Sequence, residues 1–338
     1  MPPFLLLFRA PEVVLINIIQ VLLKLTLTGV MLLSLSGSLG RSHKLFELTS
    51  HFKAQYLIAS FVCLLSFFVL KAWPWAACAL TCFLLNLSFL LPVYFTHRQS
   101  MQDLSNPRLK VIQANVLYAN TNYSAFIDFV EHERPDVLIV QEVTAAWLNA
   151  LQALRGYESI SRIVPEDGGS GIALYSRIPL RNPKIISMGD DKRPGIAATV
   201  NVNGSLVSLL TIHTHAPLRE GHFEYRNEQL AAAARYVRHL PSPKIFVGDL
   251  NTSLWSPYYS DFMRETGLVD AREGFGVLPS WPTFMPFGSL LMIPIDHCLV
   301  SPDVKVLNTS IGADIGSDHL PLIVELEIPA SGGREYDE

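Results

Sequence analysis

The sequence has little of what marks several common classes of protein. Only four cysteines occur in 338 residues. Cys63, Cys78 and Cys82 lie in apolar runs and Cys298 in a β-like run, so no disulfide framework is implied and the redox compartment is left open. No cysteine spacing suits zinc, and Cys78 and Cys82 read as packing residues. Charged residues make up only 17% of the chain. A protein that grips a long polyanion normally shows a basic stripe. Here, after Pro107, nineteen Lys and Arg stand against twenty-seven Asp and Glu. Bound divalent metal would offset part of that acidity. There is no internal repeat of fixed period. A cleaved signal peptide is not indicated, because the first apolar run is too long and lacks a small-residue cleavage site.

What is abundant is apolar sequence in the first hundred residues. Val13–Leu39, Tyr56–Leu70 and Trp73–Tyr94 form three runs. A helix needs about 20 apolar residues to cross a bilayer. The first and third runs reach that length, and the second does so if Gln55–Trp73 is counted with Lys71 snorkelling. Trp73, Trp75, Tyr94 and Phe95 suit an interfacial belt. With three spans, Arg41, Lys44, Lys53, Arg98, Arg108 and Lys110 share a side, against Arg9 and Lys71 on the other. The positive-inside rule then places the C-terminal part in the cytoplasm by a narrow margin of charge.

Residues 99–107 are polar and read as a linker, and 331–338 as a polar tail. Between them strands and helices alternate. Strands are expected at Leu109–Ala114, Val137–Val140, Ile172–Tyr175, Ala197–Val202, Leu206–Ile212, Ile245–Val247, Ile295–Val300 and Leu322–Leu326. Helices are expected at Ser124–Glu133, Ala145–Leu154, Glu220–His239 and Pro257–Thr266. Asn203-Gly204 between two strands signals a hairpin, which argues against a purely parallel, doubly wound sheet.

Polar groups gather where these strands end. The stretch Gly248-Asp249-Leu250-Asn251 follows a short buried-strand run and places a carboxylate and an amide on the loop beyond it. Asn115, Gln141-Glu142, Ser176-Arg177 and His213-Thr214-His215 end other strands. Asp296-His297 lie in a run otherwise too apolar for them, and Ser317-Asp318-His319 precede the last strand. Each has an ordinary alternative. Asn115 and Asn251 could cap turns. Glu142 could complement a helix dipole. Two histidines two apart suit a metal or a surface equally, Arg177 could be a solvated loop residue, and Asp296 could form a structural ion pair. Together, so many acids, amides and histidines at successive strand ends exceed what turns require.

The ordered set Gln113-Ala114-Asn115-Val116, Gln141-Glu142, Gly171 to Arg177, Thr214-His215, Gly248 to Asn251, Ile295-Asp296-His297 and Gly316 to Pro321 resembles the endonuclease/exonuclease/phosphatase family. The resemblance covers about residues 108–329, and the apolar N-terminal part (1–98) is similar to that of bacterial membrane-anchored members. It implies an α/β fold, a four-layer α/β/β/α sandwich of two mixed β-sheets, with a catalytic domain over 108–330. It further implies a hydrolase of phosphate esters, among whose relatives are nucleases and sphingomyelinases, in a multi-pass protein of a bacterial inner membrane. The residue roles it implies are these. Glu142 would hold Mg²⁺ (Mn²⁺ as an alternative), with Asn115 and Asp318 completing or bordering the site. Asp249 would deprotonate the attacking water, positioned by Asn251. His319, held by Asp296, would stabilise the phosphoryl oxygen. His215 would contact the phosphate and Arg177 would brace the site. Arg226 and Gln229 match a less specific part of the pattern. Ala114 stands where relatives often carry a large residue, His297 where some nucleases carry an aromatic, and His213 where many carry Asn. These departures leave the substrate open among nucleic acid, a lipid headgroup and a small ester.

Overall fold

The structure, a computed structural model, describes residues 11–95, 105–157, 159–163, 171–285 and 288–330. The tail expected over 331–338 and most of the linker expected over 99–107 lie outside the described residues. The chain separates into two compact units, dividing between Leu91 and Pro92.

The N-terminal unit is helical: α1 Pro11–Ser36, α2 Lys44–Thr49, α3 Lys53–Val69 and α4 Trp73–Tyr94. Three apolar stretches, Val13–Leu39, Lys44–Val69 and Trp73–Tyr94, are long and apolar enough to span a membrane. Their mutual contacts are few but specific. Leu27, Cys63, Phe67, Ala79 and Cys82 form a small core, while Leu15, Leu22, Leu32 and Phe68 point outward, so the helices are apolar on their outer faces as well. The Asn86 side chain donates to Ser34 Oγ at 3.0 Å and to the Cys82 carbonyl at 2.9 Å, so a polar group among apolar helices is satisfied. The second stretch gains its length differently from expectation. α3 starts at Lys53 and stops at Val69, and Lys71 sits in a left-handed turn (φ 53°) outside it. The Lys53 ammonium donates to the Ser34 carbonyl at 2.7 Å, near the end of α1, where helix carbonyls lack intrahelical partners.

The second unit is built on β1 Arg108–Asn115, α5 Tyr123–Glu133, β2 Val137–Val143, α6 Ala145–Ala150, β3 Ser159–Ile163, β4 Gly171–Ser176, β5 Leu180–Met188, β6 Arg193–Val202, β7 Ser205–Ile212, α7 His222–His239, β8 Lys244–Asp249, α8 Pro257–Thr266, β9 Val269–Asp270, β10 Asp296–Val300, β11 Lys305–Ile311 and β12 Leu322–Glu327. One sheet has the order β11-β12-β1-β2-β4-β3, the other β5-β6-β7-β8-β10-β9. Both are mixed: β1–β2 and β7–β8 are parallel, their other neighbours antiparallel. Alternation along each strand sends one set of side chains inward and the other outward. Val111, Val137, Ile139, Leu174, Val200, Leu209, Ile245 and Val247 meet between the sheets. Ile112, Leu138, Val140 and Tyr175 pack instead with Phe126, Val130 and Trp147 of α5 and α6. On the far side Leu210, Phe246 and Leu299 pack with Leu230, Ala234, Val237 and Phe262 of α7 and α8. The result is the α/β/β/α layering that the resemblance implied.

Four strands were not expected from sequence: β3, β5, β9 and β11. They are the four edges of the two sheets. β5 runs Leu-Arg-Asn-Pro-Lys-Ile-Ile-Ser-Met and is largely exposed. Edge strands cannot carry the long apolar run of a central strand, and a charge or a proline there blocks pairing with other chains.

Candidate active site

The ends of the central strands bring the polar residues together. β1 and β2 are parallel with Asn115 opposite Gln141, so both finish at one end of the first sheet. In the second sheet β10 runs antiparallel to β8 with Asp296 opposite Asp249, so one strand finishes where the other starts. Two glutamines tie these ends together across the sandwich. Gln113 Nε2 donates to Gln141 Oε1 at 2.8 Å and to Asp296 Oδ1 at 2.7 Å. Gln141 Nε2 donates to the Ile212 carbonyl at 2.6 Å, and its Oε1 accepts from the Asp249 backbone N–H at 3.0 Å. This closeness explains Gly248: a Cβ there would stand 2.0 Å from the Ile212 carbonyl oxygen.

Asp249, Asp296 and His319 form the centre. His319 Nδ1 donates to Asp296 Oδ2 at 2.8 Å, and its Nε2 lies 3.7 Å from Asp249 Oδ2. All three are buried. Burial alone would lower the His319 pKa, but the charges of Asp296 and Asp249 and the hydrogen bond to Asp296 outweigh it and push it up to about 10. Burial would likewise raise the Asp296 carboxyl, but His319 and the Gln113 bond hold it below the ordinary carboxylate range. The Asp249 carboxyl is pushed up to about 7, by burial first and by the Asp296 charge second. The trio is thus a fixed carboxylate, an imidazolium and a second carboxyl poised near neutrality. Asn115 Nδ2 bridges this centre to the cleft, donating to Asp249 Oδ2 at 3.1 Å and to Glu142 Oε1 at 3.0 Å.

Glu142 occupies a bulge, where the β2–β4 register shifts between Gln141 and Val143, and its φ is +62°. A bulge in a left-handed conformation turns a side chain out of its normal alternation. Here it presents the carboxylate beside Asn115. Glu142 Oε2 accepts from the Tyr118 N–H at 3.1 Å. Asn251 is also left-handed (φ 47°). Its N–H holds Asp249 Oδ1 at 2.8 Å, its side-chain amide donates to the Thr214 carbonyl at 3.0 Å, and its own carbonyl accepts from Arg226 at 3.0 Å.

His215 reaches the cluster indirectly. Arg193, at the start of β6, donates from Nε to the His213 carbonyl at 2.6 Å and lies 3.1 Å from His215 Nδ1 and 3.4 Å from His213 Nδ1. A guanidinium only donates, so both Nδ1 atoms accept and both Nε2 atoms carry the proton. His215 Nε2 then donates to Asp191 Oδ2 at 2.5 Å, and His213 Nε2 faces Asp249 Oδ2 at 3.5 Å. Burial, followed by the Arg193 charge, lowers the pKa of both histidines. With both ring nitrogens of His215 engaged, the expected contact to phosphate is not preformed. Gln229 completes this arm by donating to Asp191 at 2.9 Å and accepting from the His215 N–H at 2.9 Å.

Asp318 borders the centre, where its charge acts on His319, and Arg177 lies elsewhere. Asp318 precedes His319, and its Oδ2 accepts from the Trp281 indole at 3.0 Å, so it also anchors the 278–285 segment. Arg177 is at the opposite end of the first sheet. β4 is antiparallel to β2, with Ser176 opposite Val137 and Ile172 opposite Gln141, so the C-terminal end of β4 is the end remote from Glu142. Arg177 therefore does not brace the site. Sequence reasoning in turn missed Asp191 and Arg193, which lie in the polar run Gly189-Asp190-Asp191-Lys192-Arg193. Only the β6–β7 pairing, with Gly195 opposite Ile212, brings them beside His213 and His215.

The donor set suits a hard divalent cation. Glu142 offers a half-buried carboxylate near Asp249, and oxygen donors of this kind are what Mg²⁺ or Mn²⁺ take. Asn115 instead turns its Nδ2 to both carboxylates and accepts the Leu117 N–H on its Oδ1 at 3.0 Å, so it borders the donor set. Asp249, Asp296 and His319 also lie close enough to share one ion. There, however, His319 Nδ1 is committed to Asp296 and the ring is cationic, which opposes metal at that point.

The sequence profile of the Endonuclease/Exonuclease/phosphatase family matches residues 112–319, from the strand before Asn115 to His319. The chain belongs to this family. Its members are phosphoesterase hydrolases, and divalent-metal dependence is typical of them. Solved structures share the fold. An endonuclease/exonuclease/phosphatase from Beutenbergia cavernae is 19% identical, with a TM-score of 0.54 over 67% of this chain and 72% of that one. A family protein from Bacteroides thetaiotaomicron is 20% identical, with a TM-score of 0.56 over 67% of this chain and all of that one. D. rerio TDP2, solved with a single-strand DNA product, is 19% identical, with a TM-score of 0.56 over 65% of this chain and 99% of that one. No curated protein matches the sequence.

Proposed function

We propose that this family member is a membrane-anchored, divalent-metal-dependent phosphoesterase that cleaves a phosphodiester or phosphomonoester by in-line attack of water. The observation that carries the reading is the Asp249–His319–Asp296 centre, where a poised carboxyl lies 3.7 Å from an imidazolium fixed by a second carboxylate. Asp249 accepts the proton of the attacking water. Asn251 holds Asp249 in place through its N–H and keeps its side-chain oxygen available to the water. His319 donates to a phosphoryl oxygen, where negative charge grows as the water attacks, and Asp296 keeps the ring charged and oriented. Arg193 retains one N–H on each terminal nitrogen after binding the two histidines, and we assign it, with His215 behind it, to the phosphate. Glu142, with Asn115 bordering the site, would hold Mg²⁺ or Mn²⁺, which would supply charge neutralisation to the phosphate ester.

The anchor favours a substrate at the bilayer, such as a lipid headgroup, by raising local concentration. The TDP2 neighbour with its DNA product favours a nucleic-acid phosphodiester, which the acidic balance of the domain opposes. An inactive scaffold is disfavoured because no acid or histidine of the centre is missing. The bacterial inner membrane, with the enzyme domain on the cytoplasmic side, is the location we assign from the distribution of Lys and Arg.

The test uses the full chain in detergent with bis-p-nitrophenyl phosphate, a single-stranded oligonucleotide and sphingomyelin, each with Mg²⁺, Mn²⁺ or chelator. Product release that needs metal and disappears in Asp249→Asn is the expected result. Absence of release from all three would favour the scaffold.

A further inference from the structure

Arg177 does not serve the catalytic cleft, and its actual surroundings call for an explanation. A cavity of about 260 Å³ opens at the far end of the first sheet, and Arg134, Arg155 and Arg177 all line it. Val137 marks that end of β2 and Glu142 the catalytic end, five residues apart, so the two sites are separated by about 17 Å along the strand.

Three separate elements deliver the arginines. Arg134 caps α5 in a left-handed conformation (φ 49°), Arg155 follows the turn after α6, and Arg177 leaves β4 with its N–H on the Asp136 carbonyl at 2.9 Å. Among the described residues none of the three guanidinium groups is paired with a carboxylate. That contrasts with their neighbourhood, where Lys110 is bound to Glu133 at 2.6 Å and the Asp136 carboxylate accepts from the Lys110 N–H at 2.8 Å. Lys110 thus neutralises Glu133, while the Asp136 carboxylate keeps its charge beside Tyr157 and Glu131 also lines the cavity. Among the described residues three positive charges stand against two negative ones here, in a domain that is acidic overall. Like charges brought together cost free energy unless an anion offsets them. Each arginine alone could be a solvated surface residue, and Arg134 also complements the end of a helix. Neither account explains why three converge on one concave space.

The rest of the lining sets the ligand class. Val130, Leu154 and Tyr157 form an apolar wall, with the Tyr157 hydroxyl turned away to donate to the Pro135 carbonyl at 3.2 Å. Arg177, Asp136 and Arg134 all act electrostatically on that tyrosine, which places two of the arginine charges, and one carboxylate, beside the wall. We infer that this cavity is a second, non-catalytic site that binds the phosphate group of an organic phosphomonoester, with its organic part against Val130, Leu154 and Tyr157. Arginine forks match phosphate geometry by paired N–H donors. The phosphate can come from a soluble ester or from an anionic lipid headgroup, and the chemistry of recognition is shared.

The experiment is calorimetric titration of the full chain in non-ionic detergent, with metal removed by chelator. The probes are glycerol phosphate as the soluble ester and dihexanoyl phosphatidate as the headgroup. One site is expected, weakening as salt rises. Arg155→Gln and Arg177→Gln are each expected to weaken it about tenfold, the worth of one charge-assisted hydrogen bond. Arg193→Gln, in the cleft, leaves it unchanged. Arg155→Gln, at an exposed position, leaves the thermal midpoint and hydrolysis of the small ester unchanged. Tighter binding of the phosphatidate assigns the site to lipid, and equal binding assigns it to soluble esters. No binding of either probe to the wild type overturns the inference, as does binding that survives both Arg155→Gln and Arg177→Gln or is lost in Arg193→Gln.

Discussion

His319 Nδ1 and Asp296 Oδ2 are 2.8 Å apart, one residue entering β12 of the first sheet and the other starting β10 of the second. The charges of Asp296 and Asp249, with this bond, raise the imidazole pKa to about 10 against the effect of burial. Turnover is therefore expected to stay level on the alkaline side until the pH nears 10, where His319 loses its proton. Asp296→Asn removes the charge that raises this pKa, so the alkaline limb moves to lower pH and the rate at pH 8 falls about a hundredfold or more. A pH–rate profile of both proteins, beside their thermal midpoints, makes the check. A fall in midpoint with an unmoved limb would mean that Asp296 is structural only.

Glu142→Gln keeps size and loses charge. We expect an unchanged midpoint in chelator and a rise of about tenfold or more in the Mg²⁺ needed for half-maximal activity, since even an outer partner of a metal typically costs that much. Titration of activity with Mg²⁺ measures it.

Gly248→Ala places a methyl group 2.0 Å from the Ile212 carbonyl. Neither strand can move without opening the Gln141 bonds, so a loss of about 3 kcal/mol or more is expected. Denaturant unfolding gives the value.

Arg193→Lys keeps a charge but cannot bond two histidines and a carbonyl from one plane. Turnover should fall about tenfold or more with little change in stability, and the imidazole proton resonances of His213 and His215 should move together.

His297 supplies a prediction away from the cleft. It is fully buried, its Nε2 donates to the Thr252 carbonyl at 2.8 Å, and its ring lies on Tyr259 at 4.7 Å. Burial, with the Arg272 charge second, lowers its pKa to about 4. The folded state thus binds fewer protons than the unfolded between pH 6.5 and 4, and stability falls as the pH drops through that window. The loss should approach 3 kcal/mol, on the order of two and a half pKa shifts. Unfolding free energies across pH 4–8 test this, and His297→Phe should remove that part of the slope.

The sequence made the central strands legible because they are buried on both faces and read as apolar runs. The polar residues ending β1, β2 and β8 were found for the same reason: a run that stops on Asn115, Gln141 or Asp249 announces its end. The edge strands were not legible, because β5 with Pro183 and Lys184 looks like a loop until β6 is beside it. Arg177 was misplaced because a strand's direction is not written in its composition. Reversing β4 relative to β2 sends the residue after it to the far end. Asp191 and Arg193 were hidden because their partners His213 and His215 are joined to them only by the β6–β7 register.

The order of strands in the first sheet bears on how the protein is made. β12 lies between β11 and β1, the first strand of the domain, so the first strand to leave the ribosome waits for the last before it is paired on both sides. His319 enters the cleft only as β12 closes that gap. A nascent chain that already carries Asp249 and Asp296 still lacks His319. The centre is thus assembled from both sheets only when β12 has paired with β1.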